Sequence, residues 1–306
     1  MRRVGGIALV AVALVSGGAT IAAASDPTPY RPWSLEVGAR YWYSTGKSSK
    51  DLYDTTGALL ISRLTYDELT AHSGEVFFRG DTRFGLFLKG YYGGGSINKG
   101  HLIDEDFPPV VVPYSNTTSE QKGGSLNIGN IDLGYSFLQT PTHRLGAFIG
   151  YHFWKERYDA YGCRQNATSP ICVPTIPTSV AVISQENDWR SLRLGVIGDW
   201  RISPFLTLTG EAAYARTRLD GVDQHHLRPA INPLPEDGDG HGVMLEAILN
   251  WQVTEAFNLG VGGRYWRLGK TDGHSHFEQT PGGGFAQVLK WDIERYGGFL
   301  QGSLKF

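Results

Sequence analysis

The chain has 306 residues, of which 41% are hydrophobic, 12% aromatic and 19% charged. This composition is too hydrophobic for a disordered chain and too polar for a bundle of transmembrane helices. The formal net charge of −2 at pH 7 gives no support for nucleic-acid binding, which needs a basic surface.

The N-terminus carries the pattern of an export signal. Arg2 and Arg3 form a basic start, the apolar run Ile7–Val15 follows, and a stretch of small residues typical of a cleavage site ends at Ala24. We therefore expect a signal peptide over residues 1–24. The alternative, a single membrane-spanning anchor, is disfavoured because glycine and threonine residues cut the apolar run short.

Most of the remaining chain alternates between apolar and polar residues with a period of two, which predicts β-strands. Five segments show the alternation most clearly: Trp33–Ser44, Gly124–Phe137, Trp189–Trp200, Met244–Val253 and Trp291–Phe306. A soluble sandwich alternates in the same way. Here, however, aromatic residues concentrate near the ends of the apolar faces, as in membrane-interface girdles, and the chain ends at Phe306. A terminal Phe on such a strand resembles the assembly signal of bacterial outer-membrane barrels.

The spacing of polar segments predicts how the strands connect. Four short turns lie near residues 81–83, 139–143, 203–204 and 254–256, and five long connections near residues 46–56, 101–122, 162–186, 221–240 and 271–284. The predicted fold over residues 25–306 is therefore all-β, a ten-stranded antiparallel up-and-down transmembrane β-barrel with five extracellular loops and both termini in the periplasm. Several strands read as about 14–20 residues, whereas ~9–11 residues cross a bilayer, so the wall should rise above the membrane on the loop side.

Export permits disulfide bonds. Cys163 and Cys172, both in the third long connection, are the only cysteines of the chain. We therefore expect them to form one disulfide.

Two polar clusters are candidates for chemistry. The first dyad, Asp104 and Asp106, lies in the second long connection, and the second dyad, Asp223 and His225, in the fourth. Either alone is ordinarily a solvated loop, but in a ten-stranded barrel roughly 20 Å across they lie nearly opposite each other at one mouth. The inward set of the seventh strand, extended, reaches Asp223 and His225. For the first dyad the run Gly93–Gly95 is expected to break the alternation, and the facing direction stays open.

These four side chains together support hydrolysis by an activated water. Asp223 can hold His225 in one tautomer and stabilise its protonated form, so that the other ring nitrogen takes a proton from water. The two carboxyl groups opposite can share a proton, position the same water or protonate the leaving group. No serine or cysteine nucleophile is required.

The two dyads in these two connections resemble those of the omptins, outer-membrane aspartyl-type endopeptidases on a ten-stranded barrel. The matching stretches are Gly100–Phe107 and Asp223–His225, and further omptin-like segments are residues 45–47, 61–66, 144–146 and 302–306. The resemblance covers most of the chain after the signal peptide. It implies catalytic roles for Asp104, Asp106, Asp223 and His225, peptide or protein substrates, and no cofactor, with lipopolysaccharide as an activator and outer-membrane lipid as the surroundings.

The sequence departs from the omptin pattern at the positions that select basic substrate residues. Where omptins have an acid two residues before Asp-x-His, this chain has Gly221 beside Asp220, and the first-loop acid falls on Lys50 beside Asp51. Asp220 and Asp51 are therefore the substrate-binding candidates, and a preference for basic residues does not follow from the resemblance.

Lipopolysaccharide binding in omptins uses basic residues on the outer wall. Arg157 matches one of these positions within a two-residue length difference. Another falls on Asp188, with Arg190 nearby, and the lysine of a later strand has no equivalent. Arg157 and Arg190 are therefore the candidates for contact with lipopolysaccharide.

Other functions remain as alternatives. A non-catalytic barrel serving as an adhesin, receptor or structural protein has the same strand pattern. A small channel is disfavoured because inward charges, among them Glu36, Arg40, Lys89 and Asp199, should fill the lumen. A metal site built on His274 and His276 is disfavoured because no third ligand follows at a fixed spacing.

Overall fold

A computed structural model describes residues 33–107, 112–278 and 284–306. The predicted signal peptide lies outside these residues. Ten strands form the wall: β1 (Trp33–Tyr53), β2 (Leu60–Thr82), β3 (Leu86–Asp106), β4 (Ser115–Gln139), β5 (His143–Gln165), β6 (Ile176–Ser203), β7 (Leu206–His225), β8 (Leu234–Gln252), β9 (Phe257–Phe277) and β10 (Phe285–Lys305). A short 3-10 helix, Pro229–Ile231, lies between β7 and β8. No helix in the described ranges is long and apolar enough to cross a membrane.

The sheet closes into a ring of antiparallel neighbours, in which β1 pairs with β2 on one side and with β10 on the other. The predicted ten-stranded up-and-down barrel is therefore confirmed. The strands run from 19 to 28 residues and are longer than expected. The predicted boundaries of the long loops were wrong, because backbone pairing continues into them; for example, Ser62 still pairs with Asp106, and Ile183 with His225.

The outer face of the barrel matches a bilayer. Its middle carries apolar side chains that are each more than half exposed: Val76, Leu133, Ile149, Leu194, Val261 and Leu300. Aromatic side chains border this band on the turn side at Trp33, Tyr135, Phe137, Phe205 and Trp251, and on the loop side at Tyr43, Tyr92, Tyr151 and Tyr214. In water such a surface would be unfavourable, whereas in lipid it is the ordinary exterior of a closed barrel.

Above the loop-side girdle of aromatic side chains, the outward side chains become polar. On β1 they change from Tyr41 and Tyr43 to Lys47 and Asp51, and on β7 from Tyr214 to Arg218. We take this aromatic girdle as the upper limit of the membrane-spanning segments. The strands continue beyond it by about 20 Å, so that their upper parts enclose a space outside the lipid.

Inside the membrane-spanning part, side chains fill the lumen. Glu36, Arg40, Lys89 and Asp199 face inward as predicted; Arg40 bonds Gln301 and Glu246, and Lys89 pairs with Asp132. Above these charges, Trp42, Trp154 and Trp266 pack with ring centroids 5.1–5.2 Å apart, and all three are buried. The site at the loop end therefore has a closed floor.

Candidate active site

The second dyad, Asp223 and His225, ends strand β7. The inward side chains of this strand follow the two-residue period from Thr217 through Leu219 to Asp223, and each of these three is at most 2% exposed. The imidazole Nε2 of His225 lies 3.1 Å from Oδ2 of Asp223. The inward orientation predicted for this pair is therefore observed.

The first dyad, Asp104 and Asp106, ends strand β3 on the other side of the ring. Backbone pairing continues to the end of this strand, where Leu64 of β2 lies opposite Asp104. The side chain of Ser62 on β2 donates to Oδ1 of Asp104 at 3.4 Å. Both dyads are thus held by sheet pairing rather than by loops, because the strands continue to the edge of the mouth.

A bulge in β3 sets the direction of the first dyad. The expectation that Gly93–Gly95 breaks the alternation was wrong, because these glycines pair in register with residues 73–75 of β2. The register shifts farther on, between Ile97 and His101, where Gly100 has a φ of +152° that side chains larger than glycine rarely adopt. Past the bulge Leu102 is buried in the lumen, so the two-residue period turns Asp104 and Asp106 inward as well.

All four dyad residues line one cavity of about 170 Å³ at the loop end of the barrel. Its walls come from β1, β2 and β3 on one side and from β7 to β10 on the other. Because a water needs only ~10–15 Å³ of such space, the cavity has room for several waters between the two dyads. Oδ1 of Asp223 is buried and has no hydrogen-bond partner among the described residues, so an acceptor is available there for a bound water or a substrate N–H.

The first dyad has a high proton affinity. Burial, and next the neighbouring Asp106 carboxylate, raise the pKa of Asp104 to about 6. Burial also raises the pKa of Asp106, against the opposing effect of the Arg228 guanidinium in the connection that follows β7. Two neighbouring carboxyl groups in this state can retain or release one proton near neutral pH.

The second dyad favours a charged pair of groups. Burial opposes charge on both groups, but their mutual attraction outweighs it. The carboxylate of Asp223 raises the pKa of His225, while His225 and Lys50 hold the pKa of Asp223 well below its usual range. Asp223 therefore stays ionised beside an imidazole that binds a proton more readily than a free histidine.

Lys50 of β1 is the site residue that the sequence did not assign. It is only 3% exposed, and its Nζ lies 2.5 Å from Oδ2 of Asp223, 2.8 Å from Oε1 of Glu236 and 2.7 Å from Oε1 of Gln185. Because Lys50 and His225 contact the same carboxylate oxygen, the charge of the lysine acts directly on both residues of the second dyad.

The substrate-binding candidates Asp51 and Asp220 lie on the outer side of the wall and not in the cavity. Each is the sequence neighbour of an inward residue, and successive side chains of a strand point to opposite faces. Asp51 accepts two hydrogen bonds from Arg63 of β2, at 2.6 and 2.9 Å, on the outer side of the wall. Asp220 lies on the same outer side near Arg190 and Arg218. The inward positions belong to Lys50 and Gly221.

Arg157 and Arg190 both lie on the outer wall, above the loop-side aromatic girdle. Their side chains are 45% and 54% exposed. Arg157 pairs with Asp159 and Glu186, and Arg190 pairs with Asp188 at 2.9 Å. Their position fits a contact with lipid headgroups, although acidic neighbours already engage both guanidinium groups.

Cys163 and Cys172 form a disulfide, with their Cα atoms 5.6 Å apart. It joins the upper end of β5 to the connection that leads into β6.

The two histidines considered for a metal site lie on β9. His274 faces outward, and His276 contacts Asp237, with 2.9 Å between Nε2 and Oδ1. Over the described residues, no three His, Cys, Asp or Glu side chains are grouped closely enough to hold a metal ion.

Comparisons with known proteins place the fold. No family model matches the sequence, and no curated protein does. Among solved structures, the outer membrane protease OmpT of Escherichia coli matches with a TM-score of 0.72 and 15% identity, over 89% of this chain and 97% of that one. The translocator domain of the autotransporter NalP of Neisseria meningitidis matches with a TM-score of 0.37 and 10% identity, over 88% of each chain.

The fold is thus that of an outer-membrane β-barrel. Within that class it is omptin-like, because the ten-stranded ring superimposes on a known omptin over nearly its whole length. At 15% identity this likeness shows the fold alone. Any activity has to be argued from the cavity itself.

Proposed function

We propose that this protein is an outer-membrane endopeptidase that hydrolyses peptides at the mouth of its barrel with a water held between the two dyads. One observation carries the proposal. Asp104 and Asp106 from one wall, and Asp223 and His225 from the other, line a single cavity at the loop end of the barrel, above the buried tryptophans of the lumen. Paired carboxyl groups facing an Asp–His pair supply the groups that water-mediated amide hydrolysis requires.

The second dyad is suited to activate water. When Nε2–H of His225 donates to Asp223, the other ring nitrogen carries the lone pair and can accept a proton from water. The buried Asp223 carboxylate then stabilises the imidazolium that forms. The hydroxide that remains attacks the peptide carbonyl carbon and forms a tetrahedral intermediate.

The first dyad is suited to the other half of the reaction. With a pKa of about 6, Asp104 exchanges its proton near neutral pH. The pair can therefore orient the attacking water while ionised, or supply a proton to the leaving amine while protonated. Neither role needs a covalent intermediate on the protein.

The proposed orientation follows from the connections. In bacterial outer-membrane barrels the short turns lie in the periplasm and the longer loops outside. The cavity lies at the end of the long connections, which we place outside the cell, with both termini in the periplasm. Arg157 and Arg190 would then contact the phosphate groups of lipopolysaccharide, which we propose as an activator.

The test is cleavage of a peptide library by refolded protein, with and without added lipopolysaccharide. His225→Ala and Asp223→Asn should each lower kcat/KM by ~10²–10⁴-fold, because general-base assistance is lost. Asp104→Asn and Asp106→Asn should also reduce cleavage strongly. The losses should not add in double variants, because the four groups act on one water.

The matched control is His226→Ala. His226 is adjacent in sequence, but its Nε2 lies 2.9 Å from Oγ of Ser184 rather than in the cavity, so its loss should matter little. Cleavage by His225→Ala at the wild-type rate would refute the assigned roles. If the wild-type protein cuts nothing in either condition, the non-catalytic barrel is the better interpretation.

A further inference from the structure

Besides its charged groups, the cavity between the dyads is lined by three uncharged polar side chains, Ser62, Ser275 and Gln287, and by a larger apolar part. Six aliphatic or aromatic side chains on β1, β2, β8, β9 and β10 form its walls: Leu52, Ile61, Leu64, Leu234, Phe277 and Leu289. Four of these, including Leu289 at the centre of the wall, are buried from bulk solvent. A substrate side chain that enters the cavity therefore meets mainly hydrocarbon.

The carboxylates of the cavity already have cationic neighbours in the chain itself. Lys50 contacts both Asp223 and Glu236, at 2.5 and 2.8 Å. Asp104 and Asp106 are within the electrostatic influence of Arg228 and His225. The negative charge that would attract a basic substrate residue is thus partly compensated from within, most directly by Lys50.

Glu236 of β8 helps to hold Lys50. Its carboxylate bonds both Lys50 and Gln185. Lys50 therefore has three acceptors in place, and a substrate lysine or arginine would have to displace it and leave its charge buried without a partner.

We propose that this cavity accepts an uncharged, apolar side chain next to the cleaved bond, with Lys50 as an internal counter-ion that excludes basic residues. The inference rests on the proposed peptidase function and names the substrate class of the same site. The volume of the cavity, about 170 Å³, suits a leucine- or phenylalanine-sized group.

The experiment compares peptides that differ only at the residues flanking the cleaved bond, with Leu, Phe, Arg, Lys or Glu at these positions. For the wild-type protein, kcat/KM should be at least about tenfold higher with Leu or Phe than with Arg or Lys, since tenfold corresponds to ~1.4 kcal/mol. The quantity that decides is the ratio between two peptides for the same variant, because it cancels any change in the catalytic groups.

Two variants alter the counter-ion. Lys50→Met removes the charge with an unbranched side chain of similar length and frees Asp223 and Glu236, so the Arg-to-Leu ratio should rise at least about tenfold. Glu236→Gln leaves Lys50 with one carboxylate fewer, so the Glu-to-Leu ratio should rise instead. Lys47→Met is the control, because Lys47 lies on the same strand but faces outward with its side chain 45% exposed. Its ratios should equal those of the wild type.

The outcomes separate the two proposals. Cleavage with a wild-type preference for Arg or Lys would overturn the apolar subsite and leave the peptidase function standing. Ratios that stay the same in both Lys50→Met and Glu236→Gln would likewise overturn the role of Lys50. Absence of cleavage for every peptide would overturn the peptidase function and this inference with it.

Discussion

Oδ2 of Asp223 accepts from two groups, Nζ of Lys50 at 2.5 Å and Nε2 of His225 at 3.1 Å. The lysine therefore weakens the hold of the carboxylate on the imidazolium. Burial disfavours the charged ring as well, and Asp223 still raises the pKa of His225 above its ordinary value. At the residue scale, the basicity of the proposed general base is a balance between one acid and one lysine.

This balance predicts the acid side of the pH profile. His225 acts as a base only when neutral, so kcat/KM should fall as pH decreases through its raised pKa, above the ordinary histidine value of ~6.5. In Lys50→Met a positive neighbour is lost, protonation becomes easier, and the fall should move to higher pH. The measurement is kcat/KM against pH on the best peptide, with Lys47→Met as the unchanged reference. A fall at the same pH in Lys50→Met would contradict the coupling.

At the scale of strands, the alternation of apolar and polar residues was enough to predict the barrel. It also predicted the inward orientation of Asp223 and His225, because β7 runs from Leu206 to His225 without a register shift toward β8. The same rule could have found Lys50, since the inward series of β1 continues from Trp42 through Ser44 and Ser48. It was missed because the polar composition of residues 46–56 suggested a loop.

Two features could not be predicted from periodicity. The bulge before His101 depends on the pairing of β3 with β2, where the register shifts between Asp67 and Thr70. The contact of Glu236 with Lys50 depends on how β8 aligns with β7 and how the ring closes, and both are long-range properties. Local sequence determines which face a residue takes only up to the first irregularity.

The disulfide gives a prediction for one connection. Cys163 and Cys172 are nine positions apart in sequence and close a short loop, so their bond should stabilise the upper end of β5 by roughly 2–3 kcal/mol and leave the barrel wall unaffected. Reduction, or the double variant Cys163→Ser/Cys172→Ser, should increase proteolytic cleavage between residues 164 and 175 only. Alkylation of both thiols in protein purified without reductant would show that the bond does not form.

At the scale of the whole molecule, the barrel separates two environments. Below the loop-side aromatic girdle, buried ion pairs fill the lumen, and the Trp42–Trp154–Trp266 cluster lies above them. Above the girdle, the strands enclose the cavity with both dyads. The lower part thus serves as a rigid, closed base, which suits a site that must keep four side chains from two opposite walls in one geometry.

The rigidity of this base can be tested on a pair of arginines of β9. Arg264 faces the lumen with a fully buried side chain, bonds Glu75 at 2.8 and 3.2 Å and Glu246 at 2.6 Å, and holds the two acids together. Arg267 lies three positions along, faces outward, and pairs with Asp292 with its side chain 49% exposed. The two substitutions to Met remove the same charge from the same strand in opposite environments.

Arg264→Met should destabilise the folded barrel by ~3–5 kcal/mol, because Arg40 is then the one ion-pair partner left to the buried carboxylates among the described residues. Arg267→Met should cost ~0–1 kcal/mol, as exposed ion pairs do. A folded barrel resists detergent and migrates differently from boiled protein on a denaturing gel, so the temperature at which the two bands interconvert reports the difference. Arg264→Met should convert at a clearly lower temperature than the wild type, and Arg267→Met close to it. Equal conversion temperatures for both variants would show that the luminal ion pairs do not stabilise the wall, and identical migration of unboiled and boiled wild-type protein would contradict the closed barrel itself.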